Sequence, residues 1–283
     1  MRRIKQIVKA ILKQIHHFFT KEVPVYVQVN TEECLKYRTA LITGGTSGIG
    51  YAMADLFLKS GANVIITGRD KEKLDKSVVE LQTKYGECIK GICFDNKDIK
   101  KIDNFVEEAD SIFNGFDILV NNAGVRGKTS FPNITEEDFE NVFDTNVKAT
   151  FFLSQSVANY YIKEKIRGNI LNVGSSSCLS PAISPYTMTK WSIRGLTLGM
   201  AKSLAKYGVT VNGIAPGPTA TPLLPEGMEN LVHTRIPSER YVTAEEVASL
   251  AVKMVSESGR MIMGDMVYIT GGAGNLTYEY IDY

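Results

Sequence analysis

Tyr186 and Lys190 lie four positions apart in a segment whose sequence is typical of a helix. Residues at this spacing share one helix face, so the ammonium of Lys190 would lie close to the phenol of Tyr186. An unperturbed tyrosine has a pKa of about 10, which is too high for efficient proton transfer at neutral pH. A neighbouring ammonium favours the phenolate and lowers that pKa. The pair could therefore exchange a proton with a reacting oxygen, although Tyr-x-x-x-Lys alone is more often a chance pairing on an exposed helix.

Ser175 is a second candidate, because it follows Gly174 directly at the end of a predicted strand, residues 169–173. A hydroxyl at that point could hydrogen-bond a substrate carbonyl and stabilise the charge that develops on its oxygen. The simpler interpretation of the three consecutive serines that begin at Ser175 is turn chemistry.

A glycine-rich segment, residues 43–50 with the sequence TGGTSGIG, predicts a binding site for a nucleotide phosphate. An apolar strand pattern precedes it at 39–42, and a helical pattern follows it at 51–60 and ends before Gly61. Glycine permits a tight turn and close approach of a pyrophosphate, and a helix N-terminus provides free N–H groups. The spacing is G-x-x-x-G-x-G rather than G-x-G-x-x-G, so a glycine turn without a ligand is the alternative.

Strand and helix patterns alternate beyond this segment, which predicts βαβ units and a parallel sheet. Predicted strands cover residues 39–42, 63–67, 88–94, 116–120, 169–173, 209–214 and 266–269, and predicted helices cover 51–60, 71–84, 97–113, 136–146, 186–206 and a segment that begins after Thr243. Three helices have capping residues in the sequence: Asp70, Thr135 with Asp138, and Thr243 with Glu246.

The chemistry-bearing residues follow predicted strands, where ligands of open parallel sheets bind. The glycine-rich segment, Asp95, residues 121–124, Ser175 and residues 216–217 all have this position. The sequence therefore predicts one site at the carboxyl edge of the sheet.

Composition is that of an ordinary globular protein: 283 residues, 44% hydrophobic and 22% charged. A formal net charge of +1 gives no global field that favours nucleic acid. The four cysteines form no C-x-x-C pair and the three histidines no H-x-x-x-H spacing, so no metal site is expected. Reduced thiols and the lack of a long apolar run favour a cytoplasmic location.

Taken together, residues 37–272 resemble the short-chain dehydrogenase/reductase family in the glycine-rich segment, Asn121-Asn-Ala-Gly124, Ser175 and Tyr186-x-x-x-Lys190. The resemblance implies an α/β fold, a single doubly wound parallel-sheet Rossmann domain, and an NAD(P)-dependent oxidoreductase acting on a CH-OH or C=O group. It implies a catalytic tetrad of Asn146, Ser175, Tyr186 and Lys190, in which Asn146 holds a proton-relay water.

The segment between Ser175 and Tyr186 is shorter than in many members of the family. Either the intervening loop is trimmed or Ser176 contributes, and we favour Ser175 because it directly follows the strand.

The same resemblance implies which residues contact the cofactor: Gly44, Thr46, Ser47, Gly48, Ile49, Gly50, Arg69, Asp95, Asn122, Ala123, Gly124, Tyr186, Lys190, Pro216, Gly217, Thr219 and Thr221. NADP(H) is favoured over NAD(H), because Gly68 stands where an acid would bind the ribose and Arg69 can pair with a 2′-phosphate. Alternatively, Asp70 turns inward and accepts from the ribose hydroxyls.

We expect NADPH-dependent reduction of a carbonyl to a secondary alcohol, with a 3-oxoacyl thioester, a sugar or a related ketone as substrate. The alternative is a catalytically silent NAD(P)-binding sensor or scaffold on the same fold. Residues 222–240 are expected to form a substrate lid, in which Arg235 and Arg240 either receive an anionic substrate or face solvent. A homo-oligomer, a tetramer or a dimer, is expected from the resemblance alone.

Residues 1–36 are expected to form a basic amphipathic helix and a connector ahead of a dehydrogenase/reductase domain, residues 37–283. Within residues 1–21, apolar side chains recur at helical spacing between Ile4 and Phe19, and no acid precedes Glu22. Such a helix could lie peripherally on the cytoplasmic face of a membrane, or dock on its own domain or on another subunit. A signal peptide is not expected, because lysines interrupt the apolar run.

Overall fold

Seven strands form one parallel sheet in the computed structural model, which describes residues 33–129, 131–221 and 231–276. In chain order they are β1 (Thr39–Ile42), β2 (Asn63–Gly68), β3 (Ile89–Cys93), β4 (Ile118–Asn121), β5 (Asn169–Val173), β6 (Thr210–Pro216) and β7 (Met266–Ile269). Their order across the sheet is β3-β2-β1-β4-β5-β6-β7. All seven predicted strands are confirmed. A separate two-residue ladder joins Thr219–Ala220 to Val242–Thr243.

Helices cover both faces of the sheet. They are α1 (Gly48–Lys59), α2 (Lys71–Tyr85), α3 (Ile102–Ile112), α4 (Glu136–Phe143), α5 (Ala149–Lys163), α6 (Pro185–Leu204) and α7 (Ala244–Val255). In β1, Ala40 and Ile42 belong to a core formed with α1, α2 and α7, whereas Leu41 belongs to a second core formed with α3, α5 and α6. Side chains of a strand alternate between the two faces, so both faces of β1 are buried. This is the expected doubly wound α/β fold.

Two of the three predicted caps form as expected. The Asp70 carboxylate accepts a hydrogen bond of 3.1 Å from the backbone N–H of Lys73. Thr243 and Glu246 form a complete capping box at the start of α7. Gly61, predicted as the end of α1, has φ +91° immediately after that helix.

The predicted helix 136–146 is wrong at its end, because the helical segment continues to Lys163. A π-helical stretch, Asp144–Lys148, joins α4 to α5 and contains Asn146. The Asp138 half of the predicted capping box is also wrong. Thr135 caps α4, but the Asp138 carboxylate accepts from the backbone N–H groups of Lys128 and Thr129, at 2.9–3.0 Å.

Three further helix bounds differ from the prediction. Helix α1 begins at Gly48, inside the glycine-rich segment, rather than at Tyr51. The predicted helix 97–113 begins later, because Asp95 bonds to the backbone N–H of Lys97 at 3.0 Å and a 3₁₀ turn, Ile99–Lys101, precedes α3. Helix α6 gives way to a 3₁₀ turn after Leu204.

Several expectations fall on residues outside the described ranges. These are the amphipathic helix of residues 1–21, most of the connector that follows it, and residues 222–230 of the expected lid. No described helix is long and apolar enough to cross a membrane.

Candidate active site

The glycine-rich segment turns tightly between β1 and α1. Gly44 and Gly48 have φ values of +64° and +55°, which L side chains rarely adopt. A Cβ atom at Gly50 would lie 2.3 Å from the carbonyl oxygen of Gly44, so a side chain there would displace the loop. Gly44, Gly48 and Ile49 remain partly exposed in the loop and at the start of α1, where a pyrophosphate could approach the helix N-terminus. Ser47, the N-cap residue of α1, is exposed, and its side chain makes no capping hydrogen bond.

Asn122 and Ala123, which follow β4, form hydrogen bonds with this loop. The side-chain amide of Asn122 donates to the carbonyl oxygens of Thr43 and Gly44, at 3.0 Å each. The Thr43 hydroxyl accepts from the backbone N–H groups of Asn122 and Ala123, at 3.0 and 3.1 Å. In the structure these residues thus position the expected cofactor loop.

Lys190 lies beside Tyr186 on the first turns of α6, as the spacing predicts. Its Nζ atom is 5.4 Å from the centroid of the Tyr186 ring and donates a 3.0 Å hydrogen bond to the carbonyl oxygen of Val173. Lys190 is buried, whereas Tyr186 is partly exposed. The ammonium is therefore fixed at the end of β5, beside a tyrosine that is not fully buried.

The surroundings of Tyr186 lower its pKa below 10. Burial of the phenol is the largest single influence and raises the pKa, because it disfavours the phenolate. The charge of Lys190, a hydrogen bond with Ser175, and the charge and hydrogen bond of Arg126 together outweigh it. The phenol is consequently a better proton-transfer group at neutral pH than a free tyrosine.

Ser175 takes part in the turn after β5 and also lies beside Tyr186. Its Oγ atom accepts from the backbone N–H of Ser177 at 3.1 Å, which is turn chemistry. The same hydroxyl also hydrogen-bonds Tyr186. The structure thus brings Ser175 to the Tyr186 phenol.

Asn146 connects the loop after β4 to the helix of Tyr186. Its Oδ1 atom accepts from the backbone N–H of Val125 at 2.8 Å, and its Nδ2 atom donates to the carbonyl oxygen of Val125 at 2.9 Å and to Thr189 Oγ1 at 3.1 Å. Thr189 in turn donates to the carbonyl oxygen of Tyr186 at 2.7 Å. Gly124 packs against this amide, since a Cβ there would lie 3.2 Å from Asn146 Oδ1.

The end of β2 carries the residues expected to select the cofactor. The Arg69 side chain is exposed, and the described residues provide no salt bridge to it. Asp70 caps α2, as described above. Gly68 packs on Thr46, because a Cβ there would lie 2.7 Å from Thr46 Cγ2. Asp95 lies just after the neighbouring β3, and its carboxylate accepts a hydrogen bond from the backbone N–H of Lys97.

The segment after β6 approaches the glycine-rich loop. Pro216 ends the strand, and the backbone N–H of Gly217 donates to the carbonyl oxygen of Ile269 at 2.9 Å. Thr219 Oγ1 donates to the Gly217 carbonyl oxygen at 2.9 Å. The side chain of Thr221 lies against Gly48, while Ile49 packs on the first core. All candidate site residues therefore surround one edge of the sheet.

Arg126 is a neighbour of Tyr186 that the motifs did not indicate. Its guanidinium carbon lies 5.8 Å from the centroid of the Tyr186 ring. The one signal in the sequence is a basic residue two positions after Gly124. Arg240, by contrast, is not free for a substrate anion, because it forms a bidentate pair with Glu246 at 2.6 and 2.9 Å.

Comparison with known proteins identifies the family of this chain. The model of the short chain dehydrogenase family matches residues 38–231, which is more than half of the chain. The chain belongs to this family. A 3α-hydroxysteroid dehydrogenase of Mediterraneibacter gnavus is 33% identical over 245 residues, which cover 84% of this chain and 98% of that protein.

Solved structures of short-chain dehydrogenases show the same fold. The 3-ketoacyl-(acyl-carrier-protein) reductase of Brucella melitensis, complexed with NADH, is 30% identical with a TM-score of 0.77, over 85% of this chain and 99% of that one. A short chain dehydrogenase of Burkholderia cenocepacia, in complex with NADP, is 32% identical with a TM-score of 0.76. The match covers 84% of this chain and 98% of that one. The chain is thus a short-chain oxidoreductase that acts on CH-OH or C=O groups with a nicotinamide cofactor.

Proposed function

We propose that this protein reduces a carbonyl to a secondary alcohol with NADPH. The observation that carries the proposal is the convergence of Lys190 and Ser175 on the phenol of Tyr186, at the sheet edge that also holds the glycine-rich loop. A phenol of lowered pKa beside a second hydroxyl is suited to protonate an oxygen on which negative charge develops.

Each member of the tetrad has a separate role in this proposal. Tyr186 donates its proton to the alkoxide oxygen, and Ser175 orients that oxygen. Lys190 keeps the Tyr186 pKa low and holds the cofactor ribose, and Asn146 holds a water that relays protons. The nicotinamide, when bound, supplies the hydride.

The preference for NADPH rests on the end of β2. The exposed Arg69 guanidinium is free to pair with a 2′-phosphate. The Asp70 carboxylate, which would favour NADH if it bound the ribose hydroxyls, is engaged with the N–H of Lys73. Gly68 adds no negative charge. The remaining expected cofactor contacts would hold the pyrophosphate, adenine and carboxamide.

A catalytically silent sensor on this fold is the alternative. A sensor needs the glycine-rich loop but has no use for a tyrosine whose pKa is lowered by a buried lysine. The substrate classes that we consider are 3-oxoacyl thioesters, sugars and related ketones. The relatives described above carry names that refer to different carbonyl or hydroxyl substrates, so they support the reaction rather than one substrate.

A panel of these carbonyl compounds, followed at the nicotinamide absorbance with each cofactor, tests the proposal. We expect cofactor oxidation with at least one class and a lower KM for NADPH than for NADH. Cofactor binding without turnover of any compound would favour the sensor. A lower KM for NADH would show that Asp70, rather than Arg69, governs the choice.

We also propose that the protein is a homo-oligomer, a tetramer or a dimer. Helices α5 and α6 expose large apolar side chains: Phe151, Phe152, Trp191 and Leu198, at 38–62%. Large apolar side chains clustered on exposed helices are typical of protein–protein contacts. For residues 1–21 we propose peripheral contact with an anionic membrane surface, which rests on the sequence alone.

A further inference from the structure

Arg126 places a positive charge at the mouth of the proposed active site. Its guanidinium lies over the ring of Tyr186, at 5.8 Å from the centroid. The side chain is exposed, and none of the salt bridges within the described ranges involves it. A cation that is reachable from solvent, yet held next to a proton donor, is available to a bound molecule.

The loop that carries Arg126 is held on both sides. Before it, Val125 exchanges two backbone hydrogen bonds with the side chain of Asn146. After it, the buried Asp138 accepts from the backbone N–H groups of Lys128 and Thr129 and from the Thr129 hydroxyl, at 2.7–3.0 Å. The backbone position of Arg126 therefore follows from the fold, and the side chain extends from it to the Tyr186 ring.

Asp138 does not neutralise this cation in the structure. Its two oxygens face the backbone of Lys128 and Thr129, and a Cβ at the intervening Gly127 would lie 3.1 Å from Oδ2. These hydrogen bonds lower the pKa of the Asp138 carboxyl, led by the bond from the Thr129 hydroxyl. The carboxylate thus fixes the loop, and no described residue forms an ion pair with the guanidinium.

We propose that Arg126 binds a carboxylate of the substrate, so that the protein reduces oxo acids. This inference rests on the proposed function, because it requires a carbonyl at Tyr186. A planar guanidinium matches a carboxylate through two parallel N–H donors. A phosphate dianion would call for further cations, and the other cation over the Tyr186 ring, Lys190, is already bonded to Val173.

The geometry limits where the carboxylate lies. Arg126 and the Tyr186 phenol are adjacent, so the carboxylate is a few bonds from the reacting carbonyl carbon. A long neutral ketone, or a ketone whose charge lies far along a carrier arm, would leave Arg126 without a partner.

The test compares straight-chain oxo acids, with the keto group at increasing distance from the carboxylate, with their methyl esters. Wild type, Arg126→Gln and Arg126→Lys are assayed at saturating cofactor. Arg167→Gln is the matched control, because Arg167 is an exposed arginine just before β5, at the opposite end of the strands. Cofactor binding is measured for every variant to establish that the fold is intact.

We expect the wild type to prefer at least one acid to its ester. Arg126→Gln should lower kcat/KM for the acid roughly 10- to 100-fold more than for the ester, the range of a charge-assisted hydrogen bond. Arg126→Lys should retain part of the preference, and Arg167→Gln should leave it unchanged. If the Gln variant does not bind cofactor, the Lys variant tests the inference instead. Its ratio of kcat/KM for the acid to kcat/KM for the ester should then be lower than that of the wild type.

Equal losses for acid and ester would overturn the inference, since a guanidinium that only tunes the Tyr186 pKa affects both alike. A wild-type preference for esters would do the same. Neither result affects the proposed function, as long as turnover depends on Tyr186. If the wild type reduces no carbonyl at all, the proposed function fails and this inference falls with it.

Discussion

Three neighbours of Tyr186 lower the pKa of its phenol, and the sequence predicts their positions to different extents. Lys190 is four positions away on one helix, so its place is set by helical geometry. Ser175 reaches the phenol because β5 ends next to the start of α6, which a strand-and-helix pattern also predicts. Arg126 could not be predicted in this way. Its approach depends on the hydrogen bonds of Asn146 and Asp138, which are properties of the folded loop.

Replacing Lys190 by Met should shift the pH dependence of turnover to higher pH. Carbonyl reduction requires the protonated phenol, so its rate falls as pH rises through the Tyr186 pKa. The ammonium is the strongest influence that lowers this pKa, and its loss raises the pKa. In the alcohol-oxidation direction, which requires the phenolate, the same variant should be slower at neutral pH.

The measurement is kcat/KM against pH in both directions, at saturating cofactor because Lys190 is also proposed to hold the ribose. Lys202→Met, on the exposed face near the end of α6, is the control and should leave both profiles unchanged. Profiles of Lys190→Met that coincide with the wild type would show that Lys190 does not tune the phenol.

At the scale of elements, the sequence predicts every strand of the sheet but fails where hydrogen bonds between segments set the bounds. The helical run from α4 to α5 is continuous, whereas the sequence predicted an end at Asn146. Helix α5 exposes Phe151 and Phe152, which blur the alternation of apolar and polar faces. The Asp138 carboxylate bonds to the preceding loop rather than to the N-cap, which no local pattern reveals.

Glu246 offers a stability prediction at the start of α7. Its carboxylate binds both terminal nitrogens of Arg240 and the backbone N–H of Thr243, at 2.6–2.9 Å. Burial is the largest influence on the Glu246 pKa and raises it, but these hydrogen bonds outweigh burial and lower the pKa below 4.5. Because the Glu246 pKa is lower in the folded state than in the unfolded state, the ionised carboxylate stabilises the fold fully above pH 4.5. This stabilisation is lost as the pH falls through the folded-state pKa.

Glu246→Gln should therefore lower the free energy of unfolding by about 1–3 kcal/mol at neutral pH. The deficit should shrink as the pH falls from 4.5 through the lower folded-state pKa, where the wild-type carboxyl becomes neutral as well. Urea unfolding at several pH values measures this. Glu257→Gln, which breaks an exposed pair with Arg260, is the control and should change stability by less than about 1 kcal/mol. A deficit that is independent of pH would contradict the electrostatic explanation.

At the scale of the whole molecule, the strand order explains why distant motifs form one site. The sheet runs β3-β2-β1 in one direction and β4-β5-β6-β7 in the other, so the order reverses between β1 and β4. The glycine-rich loop and residues 121–124 follow these two strands and meet at that switch point, where ligands of such sheets bind. Alternating elements predict a parallel sheet, but no pattern in the residues predicts the order of its strands.

Deleting residues 1–21 separates the two interpretations of this segment. A membrane-surface helix requires co-sedimentation with vesicles that rises with anionic lipid, falls with salt and disappears on deletion. Light scattering of both proteins at micromolar concentration should show a homo-oligomer. If full-length protein ignores anionic vesicles and the deletion lowers the oligomeric state, the helix docks on a subunit. Cofactor affinity should not change, because every proposed site residue lies at or beyond Gly44.

The central claim is that Tyr186 donates the proton in carbonyl reduction, and Tyr186→Phe tests it by removing one hydroxyl. The rate of NADPH oxidation in a single turnover is compared with that of the wild type, using a carbonyl substrate identified by the panel and a separate measurement of cofactor affinity. Tyr207→Phe, a change at a partly exposed tyrosine just after α6, is the control. We predict a loss of roughly 10²- to 10⁴-fold with cofactor affinity retained. Equal rates in Tyr186→Phe and wild type would contradict the claim.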